Sequence, residues 1–263
     1  MKKRIVLCAD DYGQAPPISR GILTLVQKKR LSAVSCMVTT PYWPEHAKWL
    51  IPYADQIDIG LHFNLTEGKT ALPLLMLKAG LRLLRQNDIA AELRDQIAAF
   101  ADATGFMPRF IDGHQHVHQF PVIRQALVQV YQELFEQERP YIRVINSKVR
   151  PGEIVCDLKK LIVKTMGSRR LARLLKRHHI PYNSSFGGMY NFAKAKEYPC
   201  LFNRFLAEID EDGIIMCHPG YESDDKIDPI QMARAQEYQY FAGPRFPADC
   251  AASDVVLSRF LDK

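Results

Sequence analysis

Short apolar runs alternate with amphipathic stretches along most of this chain, and several of the runs stop on an aspartate or a histidine. Ile5–Ala9 leads into Asp10-Asp11, Ile57–Leu61 into His62, Phe110-Ile111 into Asp112 and His114, and Gly213–Cys217 into His218. Ala33–Val38 and Tyr141–Ile145 read as further strands. Runs apolar at nearly every position are strands buried on both faces, and strands alternating with helices form a parallel sheet with right-handed crossovers. Six or seven such strands favour a closed or nearly closed α/β barrel over an open doubly wound sheet. In parallel sheets, ligands gather at the carboxyl ends of the strands, where these polar residues stand.

The intervening segments carry helical signals. Pro16-Pro17 open a stretch with apolar residues at Ile18, Ile22, Leu25 and Val26 that ends in Lys28-Lys29-Arg30. Proline at the start and cations at the end fit helix asymmetry. Trp43–Leu50, Ile89–Ala103, Pro121–Phe135, Asn191–Ile209 and Ile230–Phe241 are further expected helices, and Ser253–Leu261 is expected to close the chain as one. Leu72–Leu84 is leucine-rich, but Pro73 obscures where a helix would begin. No repeat or Gly/Ser/Pro-rich linker divides the 263 residues, so a single domain over 1–263 is expected.

Six cysteines lie far apart with no C-x-x-C pair, which fits a reducing compartment better than a disulfide framework. The N-terminal apolar run is shorter than the roughly seven residues a signal-peptide core needs. A cytoplasmic protein is therefore expected. The net charge of +6 is concentrated: Asp157–Arg177 alone carries +7, which leaves the rest at −1. A solvated helix face explains such a segment, and peripheral contact with an anionic membrane is the alternative, since basic amphipathic helices lie on such surfaces. The segment lacks aromatics for base stacking, so no nucleic-acid partner is expected. The oligomeric state is open, a homodimer being one option.

Carboxylate and imidazole are the side chains that hold a borderline divalent metal. Two adjacent aspartates at a strand end can both face the mouth of a barrel and divide the work, one on the metal and one as proton acceptor. An Asp-Asp-x-Gly turn is the plainer account of Asp10–Gly13. His62, with Asn64 and Thr66 nearby, is a ligand or a structural histidine. If the chain stays extended after Asp112, then His114, His116 and His118 share one face. If the strand ends at Asp112, only His114 enters the site. His218 precedes a Pro-Gly stop and suits a general acid. Tyr182, Phe186, Met189 and Tyr190 around Gly187-Gly188 would form a sugar-stacking loop or pack the core.

Taken together, Ala9-Asp10-Asp11-Tyr12-Gly13, Gly60-Leu61-His62-Phe63-Asn64-Leu65-Thr66, Asp112-Gly113-His114-Gln115-His116-Val117-His118 and Met216-Cys217-His218-Pro219-Gly220 resemble the signatures of the YdjC-like carbohydrate deacetylases. These include the chito-oligosaccharide deacetylases. The resemblance implies an irregular, TIM-barrel-like (β/α) barrel of polysaccharide-deacetylase design. It implies metal ligands Asp11, His62 and His114, a base at Asp10 and an acid at His218. Asn64, His116, His118 and Tyr190 are expected in the substrate cleft. The implied reaction is metal-assisted removal of an N-acetyl group from an amino sugar. Two imidazoles and a carboxylate favour zinc by ligand softness, whereas the family is often associated with magnesium. A metallophosphoesterase would ask for a second metal and more carboxylates. A non-enzymatic, metal-stabilised protein that meets anionic surfaces through its basic segment is the remaining alternative.

Overall fold

Eight parallel strands organise the chain in a computed structural model that describes residues 2–146, 167–223 and 228–260. They are β1 (Lys3–Tyr12), β2 (Ala33–Cys36), β3 (Asp58–Phe63), β4 (Phe110–Gly113), β5 (Tyr141–Ile142), β6 (Phe186–Gly187), β7 (Gly213–Cys217) and β8 (Val255–Leu257). The spatial order is β5-β4-β3-β2-β1-β7-β6, with β8 paired to the start of β1 through Lys3–Ile5. No ladder joins β5 to β6 among the described residues. An Ile142–Tyr182 bridge and a bond from the Phe186 amide to the Asn146 carbonyl narrow that side. The result is the irregular, incomplete (β/α) barrel that the strand pattern implies.

Helices α1 (Pro16–Gln27), α2 (Trp43–Leu50), α3 (Leu72–Gly80), α4 (Gln86–Thr104) and α5 (Ile123–Leu134) follow the first four strands. Then come α6 (Ser168–Arg177), α7 (Tyr198–Glu208), α8 (Gln231–Ala242) and α9 (Arg245–Ala252). Strand alternation separates two buried layers. Ile5, Leu7 and Ala9 of β1, Ile59 and Leu61 of β3, and Ile215 and Cys217 of β7 join the large core that includes the helices. Val6 and Cys8, Ala33, Phe110, Tyr141, Phe186, Ile214 and Met216 form a smaller cluster between the strands. The same parity carries Asp10, His62, Asp112, Arg143 and His218 to the inner side, above that cluster.

Two expectations change, and one open alternative is decided. Ser253–Leu261 does not form a closing helix: α9 ends at Ala252, and Val255–Leu257 pairs with β1. The adjacent β-branched Val255 and Val256 favour that strand. Asn191–Ile209 splits into a 3-10 segment, Phe192–Glu197, and α7, with Pro199 in the first turn of α7, where its missing N–H costs nothing. Of the two alternatives for His114–His118, the strand ends at Gly113 and a 3-10 turn follows, with Gln115 at φ 52° and His116 at φ 62°. Of the basic stretch Lys159–Arg177, the part at 159–166 lies outside the described residues, and Ser168–Arg177 is helical.

Asp58 ties the lower end together. Its buried carboxylate accepts from the Tyr141 hydroxyl (3.2 Å) and the Phe260 amide (2.9 Å), while Phe260 stacks on Tyr141. Asp58→Ala leaves two buried donors unsatisfied, at about 1–3 kcal/mol each. Urea unfolding is expected to show a loss of about 2–6 kcal/mol. A loss below about 1 kcal/mol would mean that the anchor lies elsewhere.

Candidate metal centre and active site

Adjacent residues on a regular strand face opposite sides, so Asp10 and Asp11 cannot both point inward on a straight β1. A bulge resolves this. Ala9 pairs with Val34 and Tyr12 with Cys36, so two residues of β1 oppose Ser35 alone. Asp11 takes the extra position at φ 68°, a left-handed conformation that Asp tolerates better than most residues. Gly13 follows at φ 92°, where a Cβ would lie 2.6 Å from the Met37 carbonyl oxygen. The pair thus turns inside β1, one residue before the strand ends, and not at a simple strand terminus.

Asp11, His62 and His114 converge. His62 Nε2 lies 3.3 Å and His114 Nδ1 3.0 Å from Asp11 Oδ1, and the two nitrogens are 3.3 Å apart. Ligands bound at about 2.0–2.1 Å in a tetrahedron stand roughly 3.3–3.4 Å apart, so the triangle fits a small divalent ion. On the far side of the His62 ring, Nδ1 donates to Asp112 Oδ1 at 2.6 Å, and the Ser35 hydroxyl donates to the same oxygen at 2.6 Å. This carboxylate–imidazole arrangement fixes the tautomer that leaves Nε2 free to ligate. The other Asp11 oxygen accepts from Arg234 Nη2 at 2.8 Å, which leaves Oδ1 for the cation.

The electrostatics agree. Burial alone disfavours a charged His62, but Asp112 and Asp10, with hydrogen bonds to Asp11 and Asp112, outweigh it and raise its pKa to about 10. Burial likewise opposes ionisation of Asp11, yet Arg234 and the two imidazoles hold it well below the usual carboxylate range. The cluster calls for positive charge among its donors, which a divalent cation supplies. Cys8, Asp10 and Asp112 also approach one another, but the Arg143 guanidinium already fills their midst, with Nη1 2.7 Å from Asp10 Oδ1 and 3.0 Å from Asp112 Oδ2.

Arg143 grips Asp10 with both terminal nitrogens at 2.7 Å. Burial would raise the Asp10 pKa; Arg143, His62 and His218 override it, so the carboxylate stays ionised. His218 Nε2 is 4.0 Å from Asp10 Oδ2, and its ring meets Phe192 edge-on. Burial lowers the His218 pKa to about 4, against the pull of Asp11 and Asp10. Its backbone N–H donates to Glu237 Oε2 at 2.5 Å, and the Tyr190 hydroxyl donates to Glu237 Oε1 at 2.6 Å.

The residues expected in the cleft divide. His116 is buried with its ring edge-on to Phe186. His118 is not in a cleft: it is fully buried with Nε2 2.7 Å from the Arg143 carbonyl oxygen, because the left-handed pair at Gln115 and His116 turns the chain inward. Asn64 is also fully buried. Its Oδ1 accepts from the Thr66 and Glu67 amides, and its amide donates to Thr39 Oγ1, so it shapes a loop. That loop brings Glu67 to 3.9 Å from His114 Nε2. Tyr190 turns its hydroxyl to Glu237 and away from solvent. Arg143, Asp112, Arg234, Ser35 and Glu237 were not assigned roles from sequence. Arg143 carried a signal, since it shares strand parity with Tyr141; Arg234 and Glu237 come from α8, with no motif to mark them.

A buried carboxylate at the carboxyl edge of this sheet, Asp10, stands beside an Asp–His–His cluster whose spacing could hold a metal ion. The chain belongs to the YdjC-like protein family, whose pattern matches residues 4–252. It is 32% identical over its whole length, and the relative's whole length, to a chitooligosaccharide deacetylase of Yersinia pestis. It is 32% identical to a carbohydrate deacetylase of Xenopus laevis over 49% of this chain and 48% of that one, so the match spans about half of the latter protein. A solved structure from Enterococcus faecalis, described as a candidate cellobiose-phosphate cleavage protein, shares the fold at a TM-score of 0.70 and 18% identity, covering 99% and 98% of the two chains.

Two outcomes test the site. One divalent metal ion per chain is expected by elemental analysis after reconstitution and desalting, with most of it lost in His114→Ala; full occupancy in that variant would remove His114 from the ligand set. The second concerns Glu237, whose pKa burial raises from 4.5 to about 7 despite its donors and Arg234. A raised folded-state pKa gives stability that is present below pH 4.5 and lost as pH climbs through 7. Between pH 5 and 8, wild type is expected to lose about 1–3 kcal/mol relative to Glu237→Gln in denaturant unfolding. Parallel pH curves for the two proteins would place the titration elsewhere.

Proposed function

We propose that this chain is a single-domain, metal-dependent carbohydrate N-deacetylase that hydrolyses the acetamide of an amino sugar. The observation that carries the reading is the Asp11–His62–His114 triangle beside Asp10, an ionised carboxylate 4.0 Å from an imidazole. The family and the names of its relatives support the same reaction class. A divalent cation held by the three ligands would supply Lewis acidity, polarising the acetyl carbonyl and acidifying water. Zinc is the ion we favour, from two nitrogens and one oxygen.

The remaining steps belong to the protein. Arg143 fixes both oxygens of Asp10, so the carboxylate presents one orientation and remains a proton acceptor at neutral pH. Asp10 takes a proton from water as its oxygen adds to the acetyl carbon. The leaving amine needs that proton back. His218 is neutral at rest and sits beside Asp10, so we assign it the relay: it receives the proton from Asp10 and delivers it to the sugar nitrogen as the C–N bond breaks. The products are acetate and a free amine. A two-metal phosphoesterase is disfavoured, because Arg143 stands where a second cation would need to bind.

Five free cysteines among the described residues fit a reducing, cytoplasmic setting, and no described helix is long and apolar enough to cross a membrane. The exposed arginines of α6 would be the part of the basic segment that meets anionic surfaces.

Asp10→Asn preserves shape but cannot accept a proton. It is expected to retain zinc while acetate release from N-acetylated chito-oligosaccharides falls about 10²–10⁴-fold. Turnover within a few-fold of wild type would assign the base to another group. No acetate from any N-acetylated sugar with the zinc-loaded wild type would sink the deacetylase reading itself.

A further inference from the structure

Helix α3 exposes leucines that the core does not use. Leu74, Leu77, Leu81 and Leu83 are 47%, 58%, 61% and 67% exposed, whereas Leu72, Leu75, Met76, Ala79 and Leu84 pack into or against the core. Leu74, Leu77 and Leu81 stand at i, i+3 and i+7, one stripe along the helix and its cap. Lys78 and Arg82, both exposed, are interleaved with them.

Cations continue beyond the stripe. Arg124, Arg170, Arg173 and Arg177, with Gln125 and Leu174, line an open groove of about 280 Å³ between α5 and α6, and no carboxylate lines it among the described residues. Gln86, four residues beyond Arg82, donates to Gln129 of α5 at 2.8 Å, one turn from the groove-lining Gln125, so the end of α3 lies beside the groove. Other cations nearby are already committed: Arg85 pairs with Asp88, Arg94 with Glu133, and Lys69 with Glu92. At its other end, α3 follows the loop that brings Glu67 to the rim of the metal centre.

Apolar side chains interleaved with lysine and arginine, next to a groove whose arginines have no carboxylate partner among the described residues, match the interface of an anionic bilayer. A soluble polyanion would use the arginines and leave the leucines in water. A two-fold dimer through the stripe would bring Lys78 and Arg82 of one copy against their equivalents on the other, a like-charge contact. We propose that the leucine stripe of α3 and the arginine groove beside it form one docking surface that seats the protein peripherally on an anionic lipid bilayer. The surface adjoins the rim of the metal centre, and the proposal holds whichever reaction that centre performs.

The test is co-sedimentation of the full chain, zinc-loaded, with phosphatidylcholine vesicles with and without phosphatidylglycerol. Wild type is expected to bind only the phosphatidylglycerol vesicles, with binding weakened by salt. Leu77→Ser with Leu81→Ser should weaken binding about tenfold or more, as should Arg170→Ala with Arg173→Ala. Leu74→Ser with Leu83→Ser serves as a second leucine pair if the first lowers the melting temperature. Equal binding to both vesicle types, or to neither, overturns the proposal. So does loss in the arginine pair alone, which would indicate a polyanion. A leucine pair that changes the solution mass by light scattering while vesicle binding is intact would assign the stripe to self-association.

Discussion

A fully buried guanidinium holds the floor of this site together. Arg143 has no exposure, and two carboxylates, Asp10 and Asp112, would otherwise crowd the barrel interior around it. It neutralises Asp10 through two short bonds and approaches Asp112, which in turn orients His62. Asp10 and His62 are therefore positioned through one cation. Such a group is expensive to desolvate and is tolerated only when its partners are in place. Its carbonyl also receives His118, so the chain that carries Arg143 is locked to the chain that carries His114. A second guanidinium, Arg234, repeats the device on Asp11 and extends it to Asp228.

The two arginines divide the carboxylates by role. Asp10 has both oxygens on Arg143 and none on an imidazole. Asp11 gives one oxygen to Arg234 and turns the other to His62 and His114. Neighbouring residues in sequence, with the same side chain, thereby acquire different environments, which suit the proposed roles of proton acceptor and cation ligand. Glu237 adds a third environment, buried without an arginine of its own, and it fixes the backbone of His218.

Much of this was legible in the chain, for a physical reason. Strands buried on both faces advertise themselves by continuous apolar runs, and a polar residue at the end of such a run is conspicuous. Asp10, Asp11, His62, His114 and His218 were all visible in that way, and so was the parallel sheet. Backbone conformations that break a period were not visible. The left-handed Gln115 and His116 defeat the two-residue spacing of the histidines. The adjacent Val255 and Val256 form a strand where a helix was expected, because the neighbouring edge of β1 was free to pair. Arg234 and Glu237 reach the site from a helix that begins more than ten residues after His218, and only tertiary structure brings them there.

The bulge in β1 gives the site a sensitivity of a different kind. A substitution at Asp10 or Asp11 changes one functional group and leaves its neighbour where it was. Loss of a single codon between Ala9 and Tyr12 would restore an even ladder with β2 and shift everything downstream by one position. Only one aspartate would remain, so either the grip of Arg143 on Asp10 or the approach of Asp11 to His62 and His114 would be lost. In a lineage of such chains, reading-frame-preserving insertions and deletions at this point would therefore separate competent proteins from empty scaffolds more sharply than any exchange of residue type.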